Sequence, residues 1–263
     1  MDRGTALDPS APLDLHHKAR VLTGQPSRIL HQWLALGWRD FQAHLGVSLA
    51  YGAGFLILGW TTVLVLALTG LGWMILPAIA GAMLLGPAAT VGLYRISRRA
   101  QGNGGGGIAA PGQITLISVV MMTLALMWIR AATLLFAVFF GLRPFAGFLE
   151  TLPALFLNWE GIALIMVGTC VGGLFAAFGF AISVFSFPML VSRKIDGFSA
   201  MGLSFNATTQ NFKLMLIWAV IVTALVTLCV LTGLIAAVIV FPWLGYATWH
   251  AYVDLFGDRA NGR

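Results

Sequence analysis

Residues 214–253 form one apolar run. As a single helix of roughly forty residues it would be ~60 Å long, twice the ~30 Å hydrocarbon core of a bilayer. Such a run has to fold back on itself, and the reversal is expected at Thr232-Gly233. The tetrapeptide Leu-Thr-Gly-Leu occurs there, at Leu231–Leu234, and again at Leu68–Leu71 between two earlier apolar stretches.

Counting stretches of about 18–25 apolar residues predicts six spans, at approximately residues 47–69, 73–94, 114–140, 161–187, 214–232 and 235–253. With 59% hydrophobic and 9% charged residues, the chain is far from the roughly 25% charged content of soluble domains. The expected fold is therefore all-α: a polytopic membrane protein of six transmembrane helices arranged as three hairpins. Pro87, Pro188 and Pro242 in the returning helices, each followed by a polar group (Arg95, Arg193, His250), suggest diverged repeats. Residues 26–256 make up this domain, residues 1–25 a disordered tail and residues 257–263 a C-terminal tail.

Every Lys and Arg except Arg130 and Arg143 falls on one side of this topology. By the positive-inside rule both termini are cytoplasmic, and the expected location is the bacterial inner membrane, multi-pass. The net charge of +6 is thus a matter of topology, and no nucleic-acid partner is expected. Residues 1–45 carry scattered charges and prolines and no cleavable signal is visible, so the first span is expected to act as a signal-anchor. Two amphipathic stretches, Ile29–Phe41 and Phe198–Phe212, read as interfacial helices. The glycine run at 102–107 reads as a flexible loop, and residues 142–159 as a longer outer connection.

Arg130 sits inside the third apolar run. A guanidinium there keeps its proton and costs roughly 2.5–3.5 kcal/mol near the bilayer centre on insertion scales. Two readings follow. Arg130 pairs with Glu160, at the outer start of the fourth helix, as a structural latch; or it lines an anion or proton pathway. The fourth helix carries Gly168, Gly172, Ala176 and Gly179, a small-residue register that lets helices approach closely, either within the chain or across a homo-oligomer face.

His44 and His250 lie at the cytoplasmic ends of spans and are candidate haem or metal ligands, with interfacial hydrogen bonding as the alternative. Cys170 and Cys229 lie in apolar runs outside any Cys/His cluster and read as packing residues. No metal site, hydrolase motif or resident cofactor is indicated.

Several stretches taken together resemble one family. They are Trp38-Arg39-Asp40-Phe41 with Ser48–Gly52, Gly86–Arg99, Trp128–Ala132, Phe187–Leu190 and Gly245–Asp254. The pattern resembles the bacterial membrane family called domain of unknown function 2189. Some members carry a cytochrome c oxidase subunit label, and the resemblance implies at most a respiratory context. Where many relatives have His this chain has Tyr246, and where they have a charged segment it has the glycine run. The function expected is a non-catalytic accessory, assembly or scaffold protein of the membrane, whose partners are the lipid bilayer and a membrane protein or further copies of the chain. The alternatives are a small-solute or ion transporter with Arg130 in its path, and a haem-binding redox protein using His44 and His250.

Overall fold

The computed structural model describes residues 19–100, 107–141, 153 and 155–257, and all regular structure among them is helical. The elements are α1 (Pro26–Ala43), α2 (Leu45–Leu68), a 3-10 turn (Gly72–Met74), α3 (Ile75–Ala89), α4 (Val91–Ala100) and α5 (Pro111–Phe140). They continue with α6 (Trp159–Ser183), α7 (Ser186–Ser192), α8 (Gly197–Gln210), α9 (Phe212–Leu231) and α10 (Ala237–Phe256). Residues 1–18, 101–106, 142–152, 154 and 258–263 lie outside the described residues, and with them most of the expected tails, glycine loop and outer connection.

Among the described residues four helices are long and apolar enough to cross a membrane: Leu45–Leu68, Pro111–Phe140, Trp159–Ser192 and Phe212–Leu231. The six expected spans are therefore met in part. At 15 residues, α3 is about 22 Å long, short of the ~30 Å core. Beyond Thr90 the chain continues as α4, which buries Leu93, Tyr94 and Ser97 and ends on Arg98 and Arg99. α10 has the length, but the half from Tyr246 to Asp254 is aromatic and polar and is packed inside the protein. The two stretches expected to be interfacial are helical, as α1 and α8.

Both Leu-Thr-Gly-Leu tetrapeptides form the same helix end. Gly70 has φ +74° and Gly233 φ +60°, the left-handed region open to glycine. The N–H of Leu71 donates to Leu66 O at 2.9 Å and that of Gly70 to Ala67 O at 3.4 Å; Leu234 donates to Cys229 O at 2.6 Å and Gly233 to Val230 O at 3.0 Å. These are the paired bonds of a Schellman cap. Cap chemistry alone explains why the tetrapeptide recurs.

The break between α6 and α7 comes from Pro188. A proline ring crowds the carbonyl four residues earlier, here that of Val184, and the helix is interrupted at Val184 and Phe185. Ser204 of α8 fills the gap: its Oγ accepts from the Phe185 N–H at 3.1 Å and donates to Ala181 O at 2.7 Å. A hydroxyl inserted into the ladder in this way fixes the kink. Every residue from Ala181 to Val191 is buried.

These buried residues belong to a hub at one end of the bundle. Trp33, Trp218, Trp249, Tyr94, Phe185 and Phe187 fill its core. Ala19 is buried in it, the Arg20 N–H donates to Leu255 O at 3.1 Å, and the Leu22 N–H donates to Asn211 Oδ1 at 2.9 Å. The stretch expected to be a tail up to residue 25 is thus tied down from Ala19 onward by backbone bonds to α10 and the start of α9. At the opposite end the apolar side chains stay open, as at Leu68 and Leu231. That contrast suits helix ends bathed in lipid, where apolar contact between helices gains little.

Helix α1 packs on α10. The Trp33 indole donates to Asp254 Oδ2 at 3.2 Å, while Leu34 O accepts from the Trp243 indole at 2.9 Å. Neighbouring residues of α1 thereby reach positions about 16 Å apart along α10, spanned by the two long indole side chains. Gly37 sits at the close contact, where a Cβ would lie 2.6 Å from Ala247 N. Helix α2 also packs on α10, with Gly52 against Val238 O. That carbonyl is the one Pro242 leaves without its helical partner.

Candidate functional site

The charged junction of the hub is Asp40. Near the end of α1, one turn beyond Gly37, its Oδ2 accepts from Ser97 Oγ of α4 at 2.5 Å and from His250 Nε2 of α10 at 3.0 Å. One carboxylate thus joins three helices. His44 Nδ1 lies 3.2 Å from the backbone carbonyl of the same Asp40, so both candidate histidines converge on one residue. An acceptor-only carboxylate requires the proton on His250 Nε2, and the Asp40 carbonyl requires it on His44 Nδ1. Burial pushes the Asp40 carboxyl up, but hydrogen bonds from His250 and Ser97 and the nearby imidazoles outweigh it, and the group sits below the usual carboxylate range.

A second layer lies behind it. Ser48 Oγ donates to His44 O at 2.9 Å and lies 3.1 Å from the hydroxyl of the buried Tyr246.

The arrangement is a latch in its chemistry. In a Ser-His-Asp relay the imidazole stands between the hydroxyl and the carboxylate; here the carboxylate stands in the middle, and Ser97 donates to it. A serine held in this way is not activated by the histidine. Each histidine has one ring nitrogen engaged, His250 Nε2 with the Asp40 carboxylate and His44 Nδ1 with the Asp40 carbonyl; bonds of this kind also orient ligating imidazoles. Among the described residues no group of three or more His, Cys, Asp or Glu side chains is placed to hold a metal ion.

Cations of the hub cap helix ends. Arg98 Nη1 donates to Val191 O at 2.6 Å and Arg193 Nη2 to Phe256 O at 2.6 Å; these carbonyls end α7 and α10, where positive charge is favoured. Ser192 Oγ lies 2.6 Å from the Tyr252 hydroxyl. Asp196 caps α8 by accepting from Ser199 N at 2.9 Å, and hydrogen bonds from the Ser199 side chain and then its N–H hold the Asp196 carboxyl below the usual range.

Arg130 and Glu160 are not brought together. Helices α5 and α6 run antiparallel, with Trp128 against Gly172 and Met121 and Leu124 against Gly179, so position 160 is level with position 140. That leaves Glu160 about 15 Å along the axis from Arg130. Each side chain also leans toward the N-terminus of its own helix, and in an antiparallel pair those directions diverge. Both residues are exposed. The small-residue register of α6 splits as well: Gly172 and Gly179 pack inside the chain, whereas Gly168 has open space around it and Ala176 is exposed. Cys170 is exposed and Cys229 buried, both as free thiols.

Residues 75–192 match a family model described as Predicted integral membrane protein (DUF2189). The resemblance read from the motifs is to this family. Of those motifs, Gly86–Arg99, Trp128–Ala132 and Phe187–Leu190 fall inside the DUF2189 match, while the stretches that carry Asp40, Ser48 and His250 fall outside it. No curated protein and no solved structure matches the chain.

Sequence reasoning quoted Asp40, Ser48 and Ser97 inside motifs and Tyr246 as a departure from the family pattern, and singled out none of them as a site residue. Asp40, Ser48 and Tyr246 stand within the quoted motifs beside the histidines that were singled out. An acidic residue in the amphipathic stretch before the first span was the available signal.

Proposed function

We propose that this protein is a non-catalytic scaffold of the bacterial inner membrane, an accessory or assembly subunit. The observation that carries this reading is the use to which the hub's polar groups are put. Asp40, Ser97, His250, Arg98 and Arg193 bind one another or helix-end carbonyls, which leaves them structural work and no open reaction centre. Most of the large apolar side chains that remain open lie on the long helices. In this reading the hub, which holds Arg98, Arg193 and the start of α9, is the cytoplasmic end. α3 with α4, and α10, complete the first and third hairpins beside the four long helices. A transport path through Arg130 is the weaker reading, since Arg130 is exposed on α5 while Ile117, Met121 and Ala125 of the same helix are buried.

The test is purification of the full chain from its native membrane in mild detergent, paired with deletion of its gene. Co-purification at fixed stoichiometry with respiratory subunits, and their failure to assemble in the deletion strain, is the expected result. A Soret absorption band would support the haem reading instead. Normal amounts of every respiratory complex in the deletion strain, with no co-purifying subunit, would overturn a respiratory role.

A further inference from the structure

One face of α5 carries Val119, Met122, Leu126, Arg130, Leu134 and Val138, at helical spacing over roughly 28 Å. The apolar members of this stripe are 47–76% exposed, and Arg130 is exposed among them. Its length equals the thickness of a bilayer core, and Arg130 stands near its middle. At mid-depth a guanidinium is about 15 Å from either headgroup layer, further than its side chain extends. A permanent cation in that position needs a counter-charge.

A second copy of the chain cannot supply one. Copies in one membrane share an orientation, so a twofold contact along this stripe brings equal depths together and sets Arg130 against Arg130. Among the four long helices the sole acidic residue is Glu160, which is in the first turn of α6 and level with position 140.

We propose that the α5 stripe docks a transmembrane helix of a different protein, one that carries a carboxylate near its midpoint, and that Arg130 selects it. The proposal rests on the scaffold reading and names the chemistry of its partner. Apolar contact along the stripe supplies packing but little discrimination in lipid. The buried charge pair supplies the discrimination, because a helix without the carboxylate leaves the guanidinium uncompensated.

The test uses the full chain, labelled at its C-terminus and reconstituted in phosphatidylcholine–phosphatidylglycerol vesicles. Acceptor-labelled Leu-Ala transmembrane peptides are added with Asp, Asn or Leu at the centre, or with Asp moved to one end, and association is read by energy transfer. The central-Asp peptide should associate at least tenfold more tightly than the other three, and Arg130→Leu should abolish that preference while Arg130→Lys keeps part of it. Arg130 faces away from the packed side of α5, so folding of the variants is checked by gel filtration. Equal association of the Asp and Leu peptides, a preference that survives in Arg130→Leu, or equal association of Asp and Asn peptides would overturn the proposal. So would single-molecule photobleaching that shows a dimer lost in Leu126→Trp. Failure here with the assembly defect intact removes charge selection and leaves the scaffold reading; normal assembly in the deletion strain with no co-purifying subunit removes the respiratory role instead.

Discussion

His250 Nε2 lies 3.0 Å from Asp40 Oδ2, across 210 positions of sequence, and this contact ties helix α1 to α10. Ser97 adds α4 to the same carboxylate. The junction of three helices therefore depends on one charged group with two donors.

Asp40→Ala should destabilise the protein by about 2–3 kcal/mol, the range for charge-assisted hydrogen bonds lost in a partly buried site. Thermal melting in detergent reads the loss. In the double change with His250→Ala the effects should be less than additive, because the two residues share one bond. Fully additive effects would show that they act separately.

The latch should also respond to acid, with a definite sign. A carboxyl held below its usual range binds its proton less readily folded than unfolded. Its contribution is therefore full above the ordinary carboxylate value of about 3.9 and is lost as pH falls through that value toward the lower folded one. The melting difference between wild type and Asp40→Asn should be present at pH 5 and shrink below about pH 4. Asp196 is lowered as well, but it is present in both proteins and cancels. A difference that vanishes between pH 7 and 6 would point to another group.

Gly37 and Gly54 should separate close approach from helix propensity. At Gly37 a Cβ meets Ala247 N at 2.6 Å, whereas at Gly54 nothing lies within 4 Å. Gly37→Ala should cost about 1–3 kcal/mol through overpacking at the contact. Gly54→Ala should be neutral or gain up to about 1 kcal/mol. Equal melting temperatures for the two variants would contradict the close approach.

Arg130→Leu and Glu160→Gln should be independent. With about 15 Å between their levels, the double variant should match the sum of the single ones within about 0.5 kcal/mol in a folding assay. A coupling above that would mean the helices pair in another register.

How far the sequence was legible depended on the range of the interaction involved. The helix ends at Gly70 and Gly233 could be located from the tetrapeptide because a left-handed glycine and its two carbonyl bonds span six residues. The amphipathic stretches that became α1 and α8 were legible for the same reason. The count of long apolar helices was less so, because a run such as 73–94 gives no sign that it will divide at Thr90 into a 15-residue helix and the amphipathic α4. Asp40 was hidden because its partners are 57 and 210 positions away. The Arg130–Glu160 pairing failed on register, which the contacts of Gly172 and Gly179 set and which composition does not reveal.

The sequence by itself determined that this chain is helical, apolar enough for a membrane, and reversed at particular glycines, since those properties follow from hydropathy, length and local backbone conformation. Only the tertiary structure decided that His250 meets the Asp40 carboxylate and His44 the Asp40 carbonyl, and that Arg130 stands on an open face. Which side of a helix is covered, and which distant side chain meets it, depends on crossing angles and registers that exist once the helices have packed.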